Sequence, residues 1–455
     1  MTEKSLADLL REYSSPVQAL RNVPSPTTGY PGLAPQFSNW RSEQRAWREA
    51  AALLDQSFHM ANLFVDGPDA VKVFSDLAIN RFDNFAPGIA KQFIAADAEG
   101  RLLGDGILVY LGENSLDLVS EQNMAHWVAF HIETGNYDVT YELEYNAQRR
   151  QGPPRYYRYE VQGPTALAAI EAATGAPAPS TKFFHLTEFT IAGKQVRAIR
   201  HGMAGQPGFE FFGPWEDAAV VREALLTAGK PHGLIPVGTT AYFTNNIESG
   251  WLANPIPAFY SGESTAAFRE WLPAWAAAGL GGSYDPDDIE DYFITPFDAG
   301  YGKFIAQDHD FVGRAALESL ANKPSREKVT LIWNEDDLGK AFHDLADPDS
   351  GLPPQYMDPA RMKYSLYQYD KVTGEDGNAA GFTTHTAYLS FDRRFASLAL
   401  IDQAYAKPGT RVTITWGDSL RTPRPDVEAH RQIEVRATVA PVPFSDFARE
   451  SYRKA

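Results

Sequence analysis

The hexapeptide Val65-Asp66-Gly67-Pro68-Asp69-Ala70 returns at 161–166 as Val161-Gln162-Gly163-Pro164-Thr165-Ala166. Each copy follows an apolar, strand-like run and leads into an Ala/Val-rich stretch of helical character. Glycine makes the tight turn, and proline takes the first helical position, where its missing N–H costs nothing. One recurrence is too few for a stacked-repeat architecture. The pair therefore reads as two related αβ halves, or else as a generic strand-to-helix turn used twice.

Upstream of the first copy, Leu6, Leu9, Leu10 and Tyr13 predict an amphipathic helix over 2–22. A Pro/Gly/Thr-rich loop follows at 23–35, with Tyr30 at its centre, and suits a functional loop or a surface tether equally. Residues 39–57 predict a second helix, and 61–67 a strand. Downstream, 91–121 predicts a meander with turns at Glu99-Gly100 and 112–114, and 194–214 repeats that grammar after the second hexapeptide. Strands and helices are thus segregated, which gives an α+β class. Residues 322–379, rich in Pro, Asp, Lys and Tyr, read as a boundary with a long insertion. Beyond it, alternating runs at 395–402, 411–416 and 432–441, with 328–333 before them, predict a small antiparallel β-barrel. The expected division is 1–150, 151–321 and 322–455.

The 455 residues carry 41 Lys+Arg against 58 Asp+Glu, a net charge of −17, and no Cys. That charge repels a phosphate backbone, so nucleic acid is not expected as a partner. Without cysteine there is no disulfide, thiolate nucleophile or iron–sulfur ligation, and the chemistry must use oxygen and nitrogen groups. The ten His form no i, i+3 or i+4 pair, so no metal site is expected, carboxylate-only sites aside. The first residues have no apolar leader core, and no run nears 18 apolar residues, so the expectation is a soluble cytoplasmic protein without a membrane partner. Phosphate-loop, dinucleotide, HExxH and GxSxG motifs are missing.

Several residues stand out. His59 closes Gln56-Ser57-Phe58-His59 at a helix-to-strand junction, a place for a structural histidine or for a pocket residue titrating near neutrality. Asp105 lies between Gly104 and Gly106, which suits either a bulge or a carboxylate facing a ligand. Glu210 follows a Gly-rich loop and sits among Phe209, Phe211 and Phe212, where a lone carboxylate invites a planar ligand with two adjacent N–H donors. Tyr242 and Trp251 lie in an aromatic- and amide-dense stretch and by composition alone read as core.

The succession of Asp55-Gln56-Ser57, the 65–70 hexapeptide, Pro87-Gly88, Asp105, Gly208-Phe209-Glu210, Glu248-Ser249-Gly250, Thr295-Pro296 and Asp310-Phe311-Val312-Gly313-Arg314 resembles the folate-binding T-protein family of the glycine cleavage system across most of the chain. More narrowly, Phe37-Ser38-Asn39-Trp40-Arg41, Arg200-His201-Gly202-Met203-Ala204-Gly205, residues 233–238, Glu248-Ser249-Gly250-Trp251 and Ile289-Glu290-Asp291-Tyr292 look like the tetrahydrofolate-dependent aryl O-demethylases of lignin breakdown, which act on vanillate, syringate or 3-O-methylgallate.

That resemblance implies a three-domain ring ending in the β-barrel, tetrahydrofolate near its centre, and methyl transfer from an aromatic methoxy group to folate N5. It implies Tyr242 as the catalytic hydroxyl with His59 beside it, and Glu210, with Phe209 and Asp105, around the pterin. Gln56, Tyr30, Trp251 and Glu121 fall on or near substrate positions. Two departures stand: Asp105-Gly106 replaces two adjacent acids of the glycine-cleavage pattern, and Glu121 or Ser120 replaces an arginine that takes the substrate carboxylate. The alternative within the family is an aminomethyltransferase working with a lipoyl carrier, or a dimethylglycine-type enzyme. Non-catalytic relatives serving iron–sulfur assembly carry a Cys motif that this chain lacks. Oligomeric state is not readable from the sequence.

Overall fold

Gly67 and Gly163 make the same turn, with φ of +142° and +136°. A Cβ on Gly67 would overlap the carbonyl oxygen of Asp138, and one on Gly163 that of Ala50. Neither site accommodates another residue. These geometries come from a computed structural model that describes residues 4–24, 29–321, 323 and 326–452. Residues 25–28 of the expected 23–35 loop lie outside that set.

Eleven strands build two sheets: β1 (Ala51–Asp55), β2 (Ala61–Asp66), β3 (Ala90–Ala96), β4 (Leu102–Gly112), β5 (Ser115–Ser120), β6 (Thr140–Glu144), β7 (Tyr156–Gln162), β8 (Leu186–Ile191), β9 (Lys194–Ile199), β10 (Gly208–Pro214) and β11 (Leu234–Val237). The first sheet runs β3-β4-β5-β2-β6 and the second β8-β9-β10-β7-β1-β11. Superposing β2 on β7 makes the two orders coincide, apart from the extra edge strand β11. The hexapeptides are thus the matching turns of two like units, leading into helices Ala70–Leu77 and Ala166–Thr174.

The units exchange their leading strands. β1 precedes β2 in the chain but pairs with β7, while β6 precedes β7 but pairs with β2. A boundary near 150 falls after β6, so it leaves the first sheet whole and parts only β1 from the second, whereas the like units meet between helix Gln122–Thr134 and β6. Two expected helices are shorter than the pattern suggested. Residues 2–22 contain Leu6–Arg11 and Pro16–Arg21, broken where Ser15 caps and Pro16 starts a second helix. Residues 39–57 contain helix Trp40–Glu49 and then strand β1, whose first four residues are all buried. A short apolar run covered on both sides has no period to separate strand from helix.

A closed six-stranded barrel completes the chain: Arg326–Trp333, Asp370–Gly374, Ala379–Leu389, Arg394–Asp402, Arg411–Trp416 and Ile433–Ala440. Leu331, Trp333, Val412 and Trp416 fill its core. The expected insertion supplies a barrel strand at 370–374 and helix Glu335–Ala346. After the barrel the chain returns to the second sheet, where the Tyr452 hydroxyl accepts the Gly202 N–H at 2.5 Å.

Candidate active site

Strand β7 reads Tyr-Tyr-Arg-Tyr-Glu-Val-Gln. Alternation sends Tyr157, Tyr159 and Val161 into the helix-packed core and leaves Arg158, Glu160 and Gln162 on the opposite face. On β10 the same rule aims Glu210 with them, directly opposite Glu160, and turns Phe209 back into the core against Phe189. Phe209 therefore does not accompany Glu210 toward a ligand: a one-residue step on a strand reverses the face.

Arg158 anchors this face. Its guanidinium donates to Glu210 at 2.9 Å, to Asp117 at 2.5 Å and to Asn62 at 3.3 Å. Burial pushes the Asp117 carboxyl up to about 6 despite that cation. Glu160 has no cation. It accepts from the Gln56 side chain and from Met203 N–H at 2.6 Å, and burial plus the neighbouring Glu210 push its pKa well above the carboxylate range. Burial beside Glu210, with no cation of its own, therefore pushes Glu160 toward its neutral form, whereas Glu210 has Arg158 against it.

Glu210 lines a cavity of about 680 Å³ where both sheets, the barrel and the C-terminal segment meet. Gln56, His59, Asp105, Tyr242 and Trp251 line the same cavity. Asp105 on β4 is fixed by the Tyr301 hydroxyl at 2.7 Å, the Trp251 indole N–H at 3.1 Å and the Gln92 amide, and burial raises its pKa. Tyr242 ends the short helix Thr239–Tyr242 after β11, and His59 sits in the turn from β1 to β2.

The Tyr242 hydroxyl lies 2.9 Å from His59 Nε2. Burial lowers the His59 pKa to about 4, and burial with Glu160 and Glu210 nearby raises Tyr242 well above its ordinary value. Both are neutral at pH 7. His59 Nδ1 is buried without a partner among the described residues, and a bare lone pair there costs less than an orphaned N–H. The proton therefore belongs on Nε2, which donates to the tyrosine oxygen and leaves the Tyr242 O–H to donate elsewhere.

Tyr30 and Glu121 do not line this cavity. Tyr30 packs at 6.0 Å from the His59 ring and 6.1 Å from Phe243. Glu121 caps helix Gln122–Thr134, accepting from Asn123 N–H at 2.8 Å, with its carboxyl pushed up to about 7 by burial. Sequence reading missed Arg158, Glu160, Asp117, Gln92 and Tyr301. The signal for the first two was available: charges at every second position of an otherwise aromatic strand mark a polar face inside a sheet. Among the described residues, no group of three or more His, Asp or Glu is placed to hold a metal ion, and no helix is long and apolar enough to cross a membrane.

Comparison with known proteins follows the same lines. Residues 13–254 match the GCVT N-terminal domain family. The chain is 45% identical to a syringate O-demethylase of Sphingobium sp. strain SYK-6, over 99% of this chain and 98% of that protein. It is 29% identical to a sesamin methylene transferase of Sinomonas sp., covering 85% and 84%. Among solved structures, the glycine cleavage system aminomethyltransferase T of Bartonella henselae superposes with a TM-score of 0.60 at 20% identity, over 90% of both chains. With a family match across more than half its length and a relative 45% identical over nearly all of it, this chain belongs to the GCVT family.

Proposed function

We propose that the protein is a tetrahydrofolate-dependent aryl O-demethylase that removes methyl groups from lignin-derived methoxyarenes such as syringate, vanillate or 3-O-methylgallate. The observation that carries this reading is one cavity holding a neutral Tyr242–His59 pair together with the Glu210 carboxylate. The 45% identity to a syringate O-demethylase supports it over the aminomethyltransferase alternative, whose relatives stand at 28% identity or below.

The residues suit a reduced pterin. Its ring edge offers two adjacent N–H donors, and Glu210 Oε2 has no donor among the described residues, while Oε1 takes Arg158. The volume suits a ligand of folate's class. Tetrahydrofolate, when bound, supplies N5 as the methyl acceptor and leaves as 5-methyltetrahydrofolate.

An aryl methyl ether is a poor methyl donor because a phenolate must depart. Tyr242 meets that demand by donating a hydrogen bond from its O–H to the departing oxygen while keeping its proton, and the proton that the folate nitrogen would give up on accepting the methyl balances the phenol formed. His59 orients the hydroxyl through Nε2–H and balances charge developing on it. Glu210, held by Arg158, fixes the pterin edge, and Asp105, with its three donors, shapes the opposite wall. Alignment in such an enclosed site supplies on the order of 7 to 11 kcal/mol of the barrier reduction, and a positioned acid roughly 10² to 10⁴-fold. Consumption of reduced folate supports the cytoplasmic assignment.

The test is incubation with tetrahydrofolate and a panel of syringate, vanillate and methoxyarenes lacking a carboxylate. The expected products are the free phenol and 5-methyltetrahydrofolate in equal amounts. Formaldehyde-level folate products, or dependence on a lipoyl carrier protein, would favour the aminomethyltransferase alternative.

A further inference from the structure

Phe243 follows Tyr242 and packs its ring 5.3 Å from Tyr242, 6.2 Å from His59 and 6.1 Å from Tyr30. Over its face, 4.7 Å from the centroid, lies the guanidinium of Arg361. Arg361 belongs to a segment that runs beside the barrel strand Ala379–Leu389, bridged to it at Met362 and Thr386. Lys363 stands two residues on. Opposite them, a register shift between Thr384 and Thr386 throws His385 into the left-handed region, φ +51°, with its Nε2 buried and unpartnered among the described residues.

Three nitrogen-bearing side chains thus gather one ring away from the Tyr242–His59 pair. Neither Arg361 nor Lys363 donates a side-chain hydrogen bond or forms an ion pair among the described residues. Asp358, the nearest acid on their own segment, is exposed and accepts from Ala360 N–H at 3.0 Å. Burial brings Arg361 down to about 10 and Lys363 well below its ordinary value, with Arg361 adding repulsion, and burial followed by the two basic neighbours lowers His385 well below its own. Tyr30, His59, Arg361, Lys363 and His385 are each partly buried, neither sealed in the core nor fully exposed. Basic groups drawn partly out of water with no anion beside them are costly to charge, and an anionic ligand between them removes that cost.

We propose that Arg361 and Lys363, presented by the barrel, form the anion site that receives the carboxylate of an aromatic acid whose methoxy group reaches Tyr242. The inference rests on the O-demethylase reading for the identity of the acid. It answers the absence of an arginine at Glu121: carboxylate recognition has moved from the first sheet to the barrel. The stack on Phe243 holds the guanidinium plane, and His385, at the backbone bulge beside this segment, offers its unpartnered Nε2 as one further hydrogen-bonding group.

The experiment compares wild type with Arg361→Met, Lys363→Met and Arg361→Lys, using a methoxybenzoate and the methoxyphenol that lacks only its carboxylate. Expected is a fall of at least tenfold in the ratio of kcat/KM for the acid to that for the neutral compound in each Met variant, with partial recovery in Arg361→Lys. Calorimetric binding of 4-hydroxybenzoate without folate reads the same site independently of turnover, and should weaken at least tenfold in the Met variants. Thermal unfolding of the ligand-free Met variants should occur at or above the wild-type temperature, since an unpaired cation has been removed. Unchanged acid preference and unchanged 4-hydroxybenzoate binding in folded variants would overturn the inference while leaving the demethylase reading intact. Binding that depends on Arg361 and Lys363 without any demethylation would uphold the anion site and defeat that reading instead.

Discussion

Replacing Tyr242 by Phe removes one oxygen from a site that is 8% exposed and leaves the ring in its packing with Ala204, Val237 and Ala241. Two consequences follow from the geometry. His59 Nε2–H loses its acceptor at 2.9 Å, which costs about 1 to 3 kcal/mol of stability. The departing phenolate loses its donor in an enclosed site, where such a bond is worth about 3 kcal/mol in the transition state, or roughly 10²-fold in kcat. Folate binding, which rests on Glu210, should stay within about threefold by calorimetry. A series of methoxyarenes with ring substituents of graded electron demand supplies the sharper assay. Wild type should depend weakly on the acidity of the phenol formed, because Tyr242 neutralises the developing charge. The Phe variant should depend on it steeply. A variant with kcat within about threefold of wild type and the same leaving-group dependence would refute the role of Tyr242, and so would a loss confined to KM.

Four further outcomes are expected. Glu210→Gln should weaken folate binding by roughly tenfold or more, whereas Glu160→Gln, at a carboxyl that burial pushes toward its neutral form, should leave folding within about 1 kcal/mol; equal effects of the two on folate affinity would contradict the split between them. Arg158→Met strands Asp117 and Glu210 without their cation and should cost about 3 to 5 kcal/mol in urea unfolding. His59, whose pKa is lowered from 6.5 to about 4, is neutral in the native state where the unfolded chain binds a proton. Its contribution is therefore complete above pH 6.5 and is lost as pH falls toward 4, so the stability gap between wild type and His59→Asn should narrow by up to about 3 kcal/mol over that range, and a constant gap would mean a solvated imidazole. Gly163→Ala forces a Cβ onto the Ala50 carbonyl at φ +136° and should abolish soluble expression or lower stability by more than about 3 kcal/mol, measured by thermal unfolding.

The fold was legible where local chemistry is strict. The Gly-Pro turns, the meanders and most of the barrel strands follow from turn residues and alternation, and they gave α+β halves with a closing barrel. The exchange of β1 and β6 was not legible, because partner choice between sheets is a long-range matter that an apolar run such as Ala51–Asp55 does not encode. In the candidate site, Tyr242, His59, Glu210 and Asp105 were singled out through motif order, and the fold brings them to one cavity. Phe209 was misplaced because its neighbourhood in sequence was read as neighbourhood in space. Glu160 and Arg361 were missed for a related reason: one gains meaning only opposite Glu210 on the next strand, the other only over Phe243, 118 positions earlier in the chain.

Each of the two like units lends its first strand to the other, so a scission between helix Gln122–Thr134 and β6 would give two fragments whose sheets are each missing a member that travels with the opposite piece. Neither fragment can close its hydrophobic face alone, and reassembly from the two would have to be mutual. The walls carrying His59 and Glu210 are consequently braided together and cannot part like the leaves of a book. Admission of ligands falls to the side governed by the barrel and the returning C-terminal helix Asp446–Glu450, the parts joined to that braid by packing and side-chain bonds rather than by shared strands.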